Sequence, residues 1–348
     1  MKKKLKTLAS ITLAIAASLT FGLMGRFSAE AKSNLKTSTP RASQLRCSTS
    51  AFLPLALCGK TYYILAANNV LYSITLGDPD DGFTNTYNRI GTITNVQGAV
   101  LGMDFRPADG KLYALANQGG SLYTINTSNA SATLVSNLSP AIGSGGSNQV
   151  VFDFNPVVDA IRIISPNGQN FAVVKNAAGV FNTVAVQTPV FFSNPFDIWA
   201  LTPPGLYTGA YTNNLNGATN TLFYGFEGNG GFYVTIADQT ANGSSNTGGG
   251  KLRTIGIAAP AFGGAPFLGY NRLNGIDIVT DPQTGANYLV GAPNMRALVY
   301  FDPNQINLQT LPPDQIQYIF GNGRLLPSPV PGSPNEGYQQ IVDLAVAP

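Results

Sequence analysis

Leu101-Gly-Met-Asp-Phe-Arg-Pro107, Lys111-Leu-Tyr-Ala-Leu115 and Ser121-Leu-Tyr-Thr-Ile125, the last two separated by Asn117-Gln-Gly-Gly120, set the pattern from which the fold is read. The first segment places one aspartate between apolar residues. The next two are filled by aromatic and aliphatic side chains. Short runs of this kind bounded by Gly, Asn and Pro are strand signals, and they are too brief for helices. The pattern returns as Val151-Phe-Asp-Phe-Asn-Pro156, Ala160-Ile-Arg-Ile-Ile164 and Asn170-Phe-Ala-Val-Val174. A degenerate copy follows in Gly209-Ala-Tyr-Thr-Asn-Asn214, Thr221-Leu-Phe-Tyr-Gly225 and Gly231-Phe-Tyr-Val-Thr-Ile236, with Tyr211 standing where the aspartate is expected. Another is Gly275-Ile-Asp-Ile278, Asn287-Tyr-Leu-Val290 and Leu298-Val-Tyr-Phe301.

The fifth copy is split between the two ends. Ile341-Val-Asp-Leu-Ala-Val346 supplies the aspartate strand, while Thr61-Tyr-Tyr-Ile-Leu65 and Val70-Leu-Tyr-Ser-Ile74, joined through Asn68-Asn69, supply the aromatic hairpin. Asp104, Asp153, Tyr211, Asp277 and Asp343 lie 49, 58, 66 and 66 residues apart. Each interval suits one four-stranded blade of about 40–50 residues with insertions. The expected fold is all-β: a β-propeller of five blades, with six as the alternative. Pairing of the C-terminal strand with the N-terminal hairpin closes it, a device that leaves no open sheet edge at the seam. Val186 to Leu206, with Phe191, Phe192, Phe196 and Trp199, matches no repeat.

These motifs resemble the bacterial family known as domain of unknown function 4394, whose members are exported and propeller-like. The resemblance rests on the first copy, on Phe152-Asp-Phe-Asn-Pro-Val-Val-Asp-Ala-Ile-Arg162 and on Ala210-Tyr-Thr-Asn-Asn214, and spans residues 60–348. It implies fold and export, and brings no activity with it.

The amino terminus explains the apparent basicity. Lys2, Lys3, Lys4 and Lys6 precede an apolar run from Leu8 to Met24, and Ala29-Glu-Ala31 supplies a small-x-small cleavage site. The expected organisation is a signal peptide over 1–31, a Ser/Thr-rich leader with a cysteine pair over 32–59, and one propeller domain over 60–348. Cleavage turns the formal +3 of the chain into about −1, from 15 basic and 16 acidic residues. Nucleic-acid binding then lacks the clustered cations it needs. No second apolar span follows, so the processed chain is expected outside the cytoplasm, secreted or periplasmic, with no membrane span. There, Cys47 and Cys58 are expected to form a disulfide staple.

The chain contains no histidine, which removes Ser-His-Asp and Cys-His relays and His-ligated metal sites. Only Glu227 and Glu336 remain as glutamates after cleavage, thin material for a glycosidase pair. Asp104, Asp153, Asp277 and Asp343 read first as structural residues accepting backbone amides, because unpaired buried carboxylates are costly and repel one another. Ca²⁺ held by them is the alternative, and no other cofactor is expected. Asp78-Pro-Asp-Asp-Gly82 reads as a turn, Gly143-Ser-Gly-Gly-Ser-Asn148 as a flexible loop, and Asn242 to Gly250 as a polar insertion. The expected contact face carries Gln97, Gln118, Tyr207, Glu227, Arg272, Asn294 and Gln339, together with Asn68 and Asn148. This amide-rich set suits hydrogen bonding to an extracellular carbohydrate, peptide or protein partner. A non-enzymatic binding module is the leading expectation, and a Ca-assisted hydrolase or lyase using the aspartates is its rival.

Overall fold

The computed structural model describes residues 54–77, 86–116, 120–143, 149–195, 197, 200, 203–227, 233–237, 249–260, 273–294, 297–301, 317–325 and 340–348. The chain divides at Ser43/Gln44, and every described residue belongs to the unit Gln44–Pro348. Strands dominate it. Among the described residues no helix is long and apolar enough to cross a membrane.

Three sheets are antiparallel and four-stranded. The second and third run in chain order: β4 (Val100–Phe105), β5 (Leu112–Ala116), β6 (Ser121–Ile125) and β7 (Ala132–Asn137), then β8 (Val151–Asn155), β9 (Ala160–Ile164), β10 (Asn170–Lys175) and β11 (Phe181–Val186). The first combines the two ends of the domain. β21 (Ile341–Val346) pairs with β1 (Thr61–Ala66), which is followed by β2 (Val70–Thr75) and β3 (Thr86–Thr92). Tyr62 lies opposite Val346 and Leu65 opposite Asp343. Asn68 and Asn69, both at φ 60°, make the β1–β2 turn, a left-handed conformation that asparagine tolerates.

The remaining strands join into one nine-stranded sheet. β13 (Leu206–Tyr211), β14 (Phe223–Glu227), β15 (Tyr233–Ala237) and β16 (Lys251–Pro260) form one meander, and β17 (Gly275–Thr280), β18 (Asn287–Asn294), β19 (Ala297–Phe301) and β20 (Gln317–Leu325) form another. Their outer strands meet in parallel, from Gly256 opposite Gln317 to Pro260 opposite Gly321. β16 and β20 have ten and nine residues, so they overrun neighbours of five to eight. β12 (Phe191–Phe192), from the stretch without a repeat, adds to β16 in parallel.

Burial grades across each four-stranded unit. β4, β17 and β21 are buried at every position, whereas β3 is partly or fully exposed along its length. Apolar cores lie between consecutive sheets. One joins Tyr62, Ile64 and Tyr72 to Val279 and Val290; the next joins Leu65 and Leu71 to Met103 and Ala114. A third joins Leu115 and Leu122 to Phe152 and Ile161, and a fourth joins Val151 and Ile164 to Tyr211 and Phe223. Alternate side chains of one strand therefore enter cores on opposite faces, which is why these strands are apolar on both sides.

Side chains link the innermost strands in sequence. Met103 N–H donates to Asp343 Oδ2 (2.8 Å) and Phe154 N–H to Asp104 Oδ2 (2.8 Å). Tyr211 N–H donates to Asp153 Oδ1 (3.0 Å), Ile276 N–H to Thr208 Oγ1 (2.9 Å), and Val346 N–H to Asp277 Oδ2 (2.6 Å). These bonds lead from β21 through β4, β8, β13 and β17 and return to β21. Tyr211 is not the stand-in for the missing aspartate. Thr208, three residues upstream, does its work, and the Tyr211 ring instead packs 5.1 Å from Phe223. The convergence of these strands leaves little room: a Cβ on Gly275 would lie 2.5 Å from Leu344 N and 2.7 Å from Asp343 C.

Candidate functional site

The repeated aspartates come together. Asp104, Asp153 and Asp277 each offer an oxygen within 4.8 Å of the others. All four aspartates are buried, between 1% and 5% exposed. Each gives at least one oxygen to a backbone N–H of the neighbouring inner strand, and Asp277 and Asp343 also accept from the next residue of their own strand, Ile278 (2.6 Å) and Leu344 (2.9 Å). Asp104 Oδ1 is buried and has no hydrogen-bond partner among the described residues.

This environment disfavours charge. Burial, reinforced by the nearby Asp277 and Asp343, holds the Asp104 carboxyl well above the usual range against the pull of the Phe154 and Phe105 amides. Burial and then Asp104 do the same to Asp153. Burial raises Asp343 despite the Met103 and Leu344 amides, and pushes Asp277 up to about 7 against those of Val346 and Ile278.

Two of the motifs act as clasps, one between two sheets and one between the two meanders of the nine-stranded sheet. Asp159, left-handed at φ 47°, is held by Arg106 through Nε to Oδ1 (2.7 Å) and Nη2 to Oδ2 (2.6 Å), and it also pairs with Lys175. Arg106 and Lys175 both lie over the Phe181 ring, 5.2 and 5.1 Å from its centre. The Arg106 and Lys175 side chains draw the Asp159 carboxyl below its ordinary range. Arg162 is buried, and its Nη1 donates to Asn170 Oδ1 (2.8 Å). In the second motif, Asn213 N–H donates to Asn287 Oδ1 (2.8 Å), Asn287 Nδ2 donates back to Asn213 Oδ1 (3.0 Å), and Asn214 N–H donates to Thr280 Oγ1 (2.9 Å). Residues that stand out in sequence are thus engaged in joining one sheet or meander to the next.

A hollow of about 440 Å³ opens beside the β1–β2 turn. Ala66, Ala67, Asn68, Asn69, Gly98, Ala99, Val100, Gln340 and Val342 line it, and none of these is ionisable. Asn69 braces its wall: Nδ2 donates to Gly98 O (2.9 Å) and Oδ1 accepts from Val100 N–H (2.8 Å). Asn68 and Gln340 are exposed.

The residues nominated from sequence are dispersed. Gln97 is exposed next to Gly98, and its N–H donates to the Tyr123 hydroxyl (3.3 Å). Tyr207 is half-buried on β13. Glu227 is fully buried, with both carboxylate oxygens accepting from Gly205 N–H (3.1 and 2.9 Å). Asn294 ends β18 opposite Ala297. Gln118, Asn148, Arg272, Gln339, Cys47 and the Asp78–Gly82 turn lie outside the described residues, as does most of the Gly143–Asn148 loop and the polar insertion. Cys58 is half-buried against the core shared by β1 and β17. Gln340 and Thr208 were not nominated. Buried Gln149, whose side-chain amide donates to Asn274 O between the lead-ins to β8 and β17, was not nominated either.

No curated protein matches the sequence. Among solved structures, an auxiliary nutrient binding protein from Bacteroides thetaiotaomicron is 15% identical with a TM-score of 0.33, over 66% of this chain and 52% of its own. A counterpart of the same description from Bacteroides ovatus is 16% identical with a TM-score of 0.34, over 65% and 55%. The chain thus spans about half the length of these two proteins. A chain of the nidogen/laminin complex is 11% identical with a TM-score of 0.43, over 83% and 98%. The model of the domain of unknown function DUF4394 matches residues 79–311, most of the domain that carries the clasps and the repeated aspartates, and the chain belongs to that family.

Proposed function

We propose that residues 60–348 form a five-bladed β-propeller, exported by the signal at 1–31 and stapled by Cys47–Cys58, which works outside the cytoplasm as a non-enzymatic binding module. Its ligand seat is the hollow beside Asn68 and Gln340. The observation that carries this reading is the lining, which offers backbone groups, side-chain amides and small apolar surfaces but no ionisable group. A hollow of 440 Å³ is within the usual range for small-ligand sites. Such a lining suits a neutral, hydrogen-bonding ligand, a carbohydrate or an uncharged stretch of peptide, and has no acid or base for turnover. Hydrolysis by the aspartates is disfavoured, because each carboxyl accepts a backbone amide through at least one oxygen and the residues are at most 5% exposed.

Glycan and peptide arrays probed with the full chain should yield hits for one neutral class. Asn68→Gly, which keeps the left-handed turn while removing the amide, should weaken those hits about tenfold, the effect of losing one hydrogen bond. Binding indifferent to Asn68→Gly, or turnover in a broad hydrolase screen, would count against the proposal.

A further inference from the structure

We propose that Asp104, Asp153 and Asp277 form a binding site for one calcium-sized divalent cation among the inner strands. Clustered acids alone would not carry this, and two features take the inference further. The first is spacing. Oxygens bound to one Ca²⁺ at about 2.3–2.6 Å lie no more than about 5 Å apart, and the three donor oxygens here fall within 4.8 Å of one another. The second is the state of Asp104. It is 2% exposed; its Oδ2 is taken by Phe154 N–H, while its Oδ1 has neither solvent nor a hydrogen-bond partner among the described residues. A buried oxygen left in that state costs the full desolvation of the group. A cation between the three carboxylates supplies the missing partner and cancels their repulsion at once.

The backbone bonds fix the geometry of the site. Asp104, Asp153 and Asp277 are each anchored to a neighbouring strand through an amide, so the carboxylates are oriented before a cation arrives. Hard oxygen donors with no nitrogen or thiolate select calcium or magnesium over transition metals. The burial of the donors favours calcium, since magnesium surrenders its water reluctantly. Bound within strands from three different sheets, the ion would act as a structural rivet. This site is independent of the hollow beside Asn68.

The test uses the full chain, purified without chelator and dialysed exhaustively at pH 8. Elemental analysis should find one equivalent of calcium. Thermal unfolding should occur about 5 °C or more higher in 1 mM CaCl₂ than in 1 mM EDTA, and MgCl₂ should give a smaller shift. Asp104→Asn keeps an acceptor for Phe154 N–H, so it should fold in EDTA while losing the calcium equivalent and the CaCl₂ shift. Absence of stoichiometric calcium together with equal midpoints in CaCl₂ and EDTA would overturn the site. So would an Asp104→Asn protein that keeps the full shift. Should that variant fail to fold, the metal content and midpoints of the unaltered chain decide the matter alone.

Discussion

Deleting Ile341–Pro348 is expected to abolish cooperative folding. These eight residues contain β21, whose Ile341, Val342, Leu344, Ala345 and Val346 are all at least 93% buried. Val342 and Ala345 enter the core shared with β4, and Ile341, Leu344 and Val346 enter the one shared with β17. The four larger aliphatic side chains alone contribute about 6–12 kcal/mol of burial at roughly 1.5–3 kcal/mol each. That matches the whole stability of an ordinary domain, about 5–15 kcal/mol. The deletion also removes the edge partner of β1 and the acceptor for Met103 N–H, and it strips Asp277 Oδ2 of its Val346 donor. Circular dichroism and urea unfolding of the truncated chain should show no cooperative transition. A transition with an unchanged midpoint would mean that β21 is dispensable.

Gly275→Ala is expected to be severely damaging for a change of one methyl group. The added Cβ would meet Leu344 N at 2.5 Å, Asp343 C at 2.7 Å and Asp343 Cα at 3.0 Å. All three atoms are backbone, so no rotamer change relieves the clash. β17 and β21 must separate, which strains the bond from Val346 N–H to Asp277. Overpacking of this kind costs about 3 kcal/mol when nothing soft can yield. Gly249→Ala is the matched control, because its Cβ would have nothing within 4 Å. The urea midpoint should fall sharply for the first and barely move for the second. Equal midpoints would contradict the close approach of the two strands.

Much of this fold can be read before any coordinates. A strand with a core on each face must be apolar throughout, so the polar residue it retains stands out. That is why Asp104, Asp153, Asp277 and Asp343 mark the inner strands, and why the split copy predicts the meeting of β21 with β1. The exception is instructive. What the architecture preserves is a side-chain oxygen that accepts an amide of the next inner strand, and a threonine hydroxyl three residues from the expected position serves as well as a carboxylate. Thr208 therefore escapes a search for aspartate, and Tyr211, in its apolar setting, invites the wrong alignment. The parallel union of β16 with β20 leaves no local mark at all, because pairing of outer strands far apart in sequence depends on their length and path.

The candidate site was less legible, for a related reason. Glu227 looks like a surface carboxylate from its place near the end of a strand, yet Gly205 N–H draws it fully inside. No sequence pattern reveals a backbone donor supplied from 22 residues away. Gln97 and Gln339 are neighbours in sequence of the lining residues Gly98 and Gln340. A shift of one residue changes the direction of a side chain in extended backbone, so place in sequence alone does not say which of two neighbours faces a hollow. Convergence of the aspartates is a property of the assembled strands and is invisible in any one of them.

The amides of Met103, Phe154, Tyr211, Ile276 and Val346 bind side chains of neighbouring inner strands, and their hydrogen exchange probes the closed circuit of those strands directly. A continuous circuit predicts that all five exchange together, at the slow rate set by global unfolding. Fast exchange of Met103 and Val346 through local opening, with Phe154 and Tyr211 still protected, would show that the circuit is open at β21.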